Sequence, residues 1–138
     1  LDIQIYTSPE QSDIDEIKAG LRKHNTPFLK DVRHEDFLCY LNDDNGKKIA
    51  GLIGEIWRNW LQVNFLWVDE NQKSQGLGKQ LLKRAEDFAK KNGCHSCLLD
   101  TFSFQAKPFY EKQGYQVQMQ LEDFPENAQR FYMVKTLK

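Results

Sequence analysis

The run Lys73-Ser74-Gln75-Gly76-Leu77-Gly78-Lys79 places paired glycines, lysines and a hydroxyl directly ahead of a helical apolar pattern. A polar glycine-containing loop that leaves a strand and opens a helix is suited to hold a phosphate. The first amides of the helix lack internal acceptors, its dipole puts partial positive charge there, and glycine lets the backbone approach the ligand. Gly76 and Gly78 fit that task. Alone, the pattern is weak: at ~7% glycine, one G-x-G arises by chance in roughly half to three-quarters of chains of this length. Two nucleotide-binding patterns fail in context. A dinucleotide fingerprint requires a third glycine where Leu81 stands. A Walker loop requires a glycine at Lys73 and a hydroxyl at Gln80. Cys94-His95-Ser96-Cys97 has the spacing of half a zinc site, but only Cys39, His24 and His34 remain to complete four ligands, so no metal is expected. A helix-to-strand corner with Cys97 buried is the simpler reading.

Composition narrows the setting. The chain has 138 residues, of which 40% are hydrophobic and 28% charged, too apolar for a disordered chain and too polar for a membrane protein. A single domain spanning 1–138 is expected. No apolar run approaches the ~18 residues of a membrane span, and the first residues lack the basic-then-apolar pattern of a signal peptide. The formal net charge of −1 provides no global positive field for nucleic acid. Three cysteines are an odd number and argue against a disulfide scaffold. A cytoplasmic protein without nucleic-acid or membrane partners is expected.

The elements that must position the loop follow from periodicity. Ile3 and Ile5 alternate with polar neighbours and predict a first strand. Ser8-Pro9-Glu10-Gln11 then predicts a helix start ahead of Ile14, Ile17 and Leu21, with a break at Asn25-Thr26-Pro27 and an ambiguous, short helical stretch after Phe28. Phe37, Cys39 and Leu41 alternate along a second strand, Asp43-Asp44-Asn45-Gly46 forms a hairpin turn, and Lys48 to Trp57 returns. After the tight connection Arg58-Asn59, Leu61, Val63, Phe65 and Trp67 are expected on one face of a fourth strand, central because Phe65 to Val68 is apolar on both faces. Leu77, Leu81, Ala85, Phe88 and Ala89 give a helix stopped by Gly93. Cys97 to Thr101 is a fifth strand, about Ala106 to Gln113 a short helix ended by Gly114, and Tyr115 to Leu121 and Arg130 to Thr136 two more strands around Pro125. This order describes an α+β or α/β three-layer domain with a mixed sheet.

Two segments resemble a known family. Leu66 to Leu82, with Lys73-Ser74-Gln75-Gly76-Leu77-Gly78 after a strand ending in Val68, is similar to the acetyl-CoA motif of the GNAT N-acetyltransferases. Ser103-Phe104-Gln105-Ala106-Lys107-Pro108-Phe109-Tyr110-Glu111-Lys112-Gln113-Gly114-Tyr115 resembles the family's second signature, Asn-x-x-Ala-x-x-x-Tyr-Glu-Lys-x-Gly-Phe. The likeness covers residues 48 to 121 closely and points to a small bacterial member. Lys73 stands where Gln or Arg is usual, and Ser103 where Asn is usual.

The resemblance implies a GNAT-like fold whose mostly antiparallel sheet splays between the fourth and fifth strands, with acetyl-CoA in the opening. Its arm would pair with backbone near Trp67 and Val68. Its diphosphate would rest on amides from Gln75 to Lys79, with Lys73 and Ser74 beside it. Further cofactor contacts are implied for Ser103 or, in its place, Gln105, and for Phe109, Tyr110 and Lys112. The implied reaction is direct transfer of acetyl to a primary amine of a small molecule or peptide, with Tyr110 as general acid toward the departing thiolate. An acidic residue that serves as base in some members is replaced by Gln62, so Gln62 and Asn64 are expected to share a face and hold a water wire. Asp100 is a weaker candidate base. Trp57 and Trp60 read as sheet packing, and Lys79, Lys83, Arg84, Glu122, Asp123 and Glu126 as solvated charge. A catalytically silent acyl-CoA-binding module and a plain phosphate-binding domain are the alternatives. The acceptor is unspecified, and a homodimer through sheet edges is left open.

Overall fold

The computed structural model describes all 138 residues, which divide into two compact units, Leu1–Val32 and Arg33–Lys138. The first unit contains helix α1, Gln11–Leu29. Ile3 and Ile5 lie outside any strand, contrary to expectation, because residues 1–6 pair with no ladder and alternation without a partner strand forms no sheet. Glu10, and not Ser8, occupies the N-cap, and it makes no side-chain capping bond. The expected break at Pro27 does not occur. Proline sits in the final turn of α1, where the helix ends two residues later and one lost amide bond is tolerated. Phe28 therefore belongs to α1, and no separate short helix follows. No residue of α1 is buried, and Ile17, Leu21 and Phe28 are exposed.

The second unit is built on one six-stranded sheet. Its strands are β1 (His34–Asn42), β2 (Lys48–Trp57), β3 (Trp60–Val68), β4 (Ser96–Phe102), β5 (Gln116–Glu122) and β6 (Gln129–Thr136), in the order β1-β2-β3-β4-β6-β5. Every neighbouring pair is antiparallel except β3 and β4. The β1–β2 turn forms because the Asp43 carboxylate accepts from the amides of Asn45 and Lys47 while Gly46 takes a φ of +82°. Arg58 and Asn59 join β2 to β3, so Trp57 lies opposite Trp60 and Glu55 opposite Gln62.

A β-bulge then changes the alternation of β3. Gly54 pairs with Val63 but Ile53 with Phe65, which leaves Asn64 as the extra residue. Leu61 and Val63 face the core before the bulge, and Leu66 faces it afterwards. Phe65 and Trp67 are consequently 68% and 52% exposed, not on the face of Leu61 and Val63 as the simple alternation predicts.

Helix α2, Leu77–Lys91, crosses from β3 to β4 and packs Leu82, Ala85 and Ala89 onto Leu52, Ile56 and Leu61. The crossover is what makes β4 parallel to β3. Gly93, at φ +92°, turns the chain out of the helix, and the Cys94 amide donates back to the Ala89 carbonyl at 2.9 Å. Cys94 and Cys97 are both buried at this corner. Helix α3, Lys107–Lys112, is short, and Gly114 at φ +96° redirects the chain into β5. No helix is long and apolar enough to cross a membrane.

Candidate active site

The sheet opens where its one parallel seam ends. β3 and β4 are in register only from Trp60 opposite Ser96 to Val63 opposite Leu99, yet β3 continues to Val68 and β4 to Phe102. Beyond Val63, β3 keeps β2 on one side and has no strand on the other, so alternate backbone amides and carbonyls there point into the opening.

Two cavities fill this opening. The first, about 540 Å³, runs from Leu66, Trp67 and Val68 to the loop residues Gln72, Lys73, Ser74, Gly76, Leu77, Gly78 and Lys79, and is closed by Ala106, Phe109 and Tyr110. The second, about 500 Å³, shares Leu66, Trp67, Lys73, Ala106 and Tyr110 with it and extends past Val63, Asn64, Leu99, Asp100, Thr101 and Gln105.

The loop at the mouth has a backbone shaped for anions. Asp69 caps the 3₁₀ turn Glu70–Gln72, and Ser74 and Gly76 then take positive φ values of +72° and +74°. Alternation of left-handed residues with ordinary ones turns successive amides toward a common point. The first intrahelical bond of α2 runs from the Gln80 amide to the Gly76 carbonyl at 3.0 Å, which leaves the amides of Leu77, Gly78 and Lys79 as the open end of the helix. At Gly78 a Cβ would stand 3.6 Å from Phe109 and 3.7 Å from Val68, in ordinary contact with both walls between loop and cleft. Lys73 pairs with Glu70 at 3.0 Å but remains more than half exposed at the cleft.

Tyr110 is the only ionisable ring on the shared wall of both cavities. It is 8% exposed and held edge-on between Phe109 and Tyr115, with centroids at 5.2 Å and 5.9 Å. Burial, with the Asp100 carboxylate nearby, pushes its phenol up to about 12. It therefore holds its proton at neutral pH.

On the far side of the cleft the bulge brings Gln62 and Asn64 together, with Asn64 lining the second cavity and Gln62 lining neither of the two. The Gln62 amide donates to Asn64 Oδ1 at 3.0 Å, and Asn64 Nδ2 donates to Glu55 Oε2 at 3.1 Å. The other Glu55 oxygen contacts His34 Nε2 at 2.8 Å, and His34 stacks on Trp57 at 3.7 Å. Hydrogen bonds from Asn64 and His34 hold the Glu55 carboxyl below its ordinary value, so it is ionised. Glu55 was not singled out from the sequence. The two-residue Arg58-Asn59 turn contains the signal, since it fixes Glu55 opposite Gln62.

Of the other residues named from the sequence, Gln105 reaches the cleft and Ser103 and Lys112 do not. Ser103 lines neither cavity. Its hydroxyl accepts from the Gln129 amide at 3.0 Å and its own amide donates to the Gln129 carbonyl at 2.9 Å, which ties the end of β4 to the start of β6. Gln105 does line the second cavity, with its Oε1 accepting from Thr101 and from the Phe102 amide. Lys112 is exposed on α3 and lines neither cavity, and the Gln75 side chain turns back to Gln72 at 3.2 Å. No group of three or more His, Cys, Asp or Glu side chains is placed to hold a metal ion.

The sequence profile of the acetyltransferase (GNAT) family matches residues 4–115. The chain belongs to the GNAT acetyltransferases. It is 34% identical over 125 residues to the blasticidin-S acetyltransferase of Streptomyces morookaense, covering 89% of this chain and 92% of that protein. An acetyltransferase of Bacillus cereus, solved as a crystal structure, is 33% identical with a TM-score of 0.82 over 97% of this chain and 98% of its own. A putative streptothricin acetyltransferase of Bacillus anthracis, solved with acetyl coenzyme A, shares the fold at 19% identity and a TM-score of 0.65, covering 75% of this chain and 63% of that one. The GNAT fold in these proteins is the mixed α+β sheet described above, and this chain is an acetyltransferase.

Proposed function

We propose that this acetyltransferase takes its acetyl group from acetyl-CoA and transfers it directly to a primary amine of a small molecule. The observation that carries this reading is continuity: one opening joins the amides at the start of α2 to Tyr110 through the unpaired edge of β3. The diphosphate fits the Gly76 to Lys79 turn, with Lys73 as a point charge beside it. The pantetheine arm, an extended chain of amides, completes the β3 edge near Trp67 and Val68, and the thioester then reaches Tyr110.

In the transfer, the neutral amine nitrogen attacks the thioester carbon, the C–N bond forms and the C–S bond breaks. Tyr110 donates its proton to the departing sulfur and recovers one from solvent. The nitrogen loses its proton to water held by Gln62 and Asn64, with ionised Glu55 stabilising the positive charge as it leaves. An alkyl amine with a pKa of ~10.4 arrives as an ammonium and needs about 4–5 kcal/mol to become neutral at pH 7, so the same water must carry that first proton to solvent before attack.

Incubation with acetyl-CoA and an amine panel, monitored by thiol release, tests the reaction. Tyr110→Phe removes only the hydroxyl. It should lower turnover by about 10²-fold while the affinity for acetyl-CoA, read by calorimetry, stays within about threefold. Unchanged turnover removes Tyr110 from the role of acid.

A further inference from the structure

A third cavity, about 410 Å³, lies beside the second one and shares Asn64, Phe65, Asp100 and Gln105 with it. Its remaining lining is Gln62, Phe102, Arg130 and Tyr132. Arg130 Nε donates to Asp100 Oδ2 at 2.8 Å, and both side chains are about three-quarters withdrawn from solvent, at 23% and 25% exposure. The pair is made through Nε, so the two terminal nitrogens are not used by Asp100. Three aromatic rings surround the guanidinium: Phe124 at 4.8 Å, Phe102 at 5.2 Å and Tyr132 at 5.2 Å from its carbon. The surrounding rings and the Asp100 bond restrict the guanidinium's rotation and leave its terminal nitrogens as the edge that Asp100 does not occupy.

Such a half-buried pair contributes little to stability, because withdrawing both charges from water offsets most of their attraction. Recognition is the better account of it. We propose that Arg130 binds a carboxylate of the acceptor, and that the acetyltransferase accordingly selects small amines that also carry a carboxylate, amino-acid-like molecules, over purely cationic amines. Asp100 is a positioning residue that aims the guanidinium. A carboxylate on the Arg130 fork places the rest of a small acceptor along Gln62 and Asn64, toward the cavity that Tyr110 lines. The size of the cavity suits a small molecule and not a folded protein surface. This inference rests on the acetyl transfer proposed above and adds the acceptor's class.

The test uses matched acceptors: each proteinogenic amino acid, β-alanine and 4-aminobutyrate against its own carboxamide, with thiol release from acetyl-CoA as readout. The wild-type protein should favour the carboxylate member of its best pair at least about tenfold in kcat/KM. Arg130→Gln should raise KM for that acceptor about tenfold or more, leave KM for acetyl-CoA within about twofold, and reduce the preference to near unity. Asp100→Asn should produce a smaller change in the same direction. Equal use of both members by the wild type, or an Arg130→Gln loss identical for both, would overturn the carboxylate assignment while leaving the acetyl transfer standing. Should Arg130→Gln not fold, judged by its melting curve, the wild-type comparison alone decides. Absence of amine-dependent thiol release with every acceptor tried would overturn both readings, and the rise in melting temperature on adding coenzyme A would then show whether the donor site itself fails.

Discussion

Gly54 shows how a single missing side chain shapes the site. A Cβ at that position would fall 2.2 Å from the Gln62 carbonyl oxygen, a backbone atom that cannot swing aside. The close approach exists because Asn64 is the extra residue of the β3 bulge, and the same bulge brings Gln62 and Asn64 into contact. Gly54→Ala should therefore destabilise the protein by about 3 kcal/mol in chemical denaturation, the upper range for overpacking, and should lower turnover in the surviving folded fraction. Apolar alternation in the sequence gives no sign of the bulge. Leu61, Val63, Phe65 and Trp67 are evenly spaced, and only the pairing with Gly54 reveals that the last two turn outward. Tyr110 and the Gly76 to Lys79 turn were legible, because their types and spacing form motifs within a short stretch. Arg130 was not, since its partner Asp100 lies 30 residues away and meets it only through β4–β6 pairing, whereas Glu55 is nine residues from Asn64 and was hidden only by the bulge that sets their register.

Among the elements, α2 has the most exacting position, because its first turn faces the cleft while its inner face carries a buried charge. Glu86 is 5% exposed, accepting from Tyr115 Oη at 2.8 Å and from Lys135 Nζ at 2.7 Å. These bonds tie α2 to β6 and to the residue after Gly114. Glu86→Ala leaves both donors without their acceptor and should cost about 2–4 kcal/mol, slightly below the usual range for breaking a buried pair because Lys135 retains some solvent. Glu86→Gln keeps an acceptor for Tyr115 and should cost visibly less in the same denaturation series. The hydrophobic period of α2 and its stop at Gly93 were plain from the sequence, whereas its buried carboxylate was hidden among exposed helix charges. The predicted first strand failed for a different reason: Ile3 and Ile5 satisfy a local pattern, but a strand exists only where another strand accepts its hydrogen bonds.

At the scale of the whole molecule, buried weak acids set the alkaline limit, among them Cys94, whose thiol burial also raises. Burial pushes the Cys97 thiol up to about 12 from an ordinary 9.0, pushes Tyr110 up to about 12 from 10.0, and drives Tyr115 above its ordinary value as well. Each raised value means that the folded chain keeps a proton the unfolded chain gives up. Their stabilisation is complete below pH 9 and is lost as the pH climbs toward 12. The melting temperature should be flat from about pH 7 to pH 9 and fall steadily above it, and Cys97→Ala should flatten the first part of that fall. A melting temperature unchanged to pH 11 would count against burial as the cause.

The four rungs of register between β3 and β4 also bear on how the chain assembles. The β1-β2-β3 meander and the β5–β6 hairpin close over short loops, whereas the parallel seam spans the α2 crossover and β4–β6 also joins distant residues. With only four residue pairs, the seam should be an early place to loosen, read as faster amide exchange there than along β1–β2. A molecule bridging both lips of the gap beyond that seam would then act as a clasp on the finished sheet.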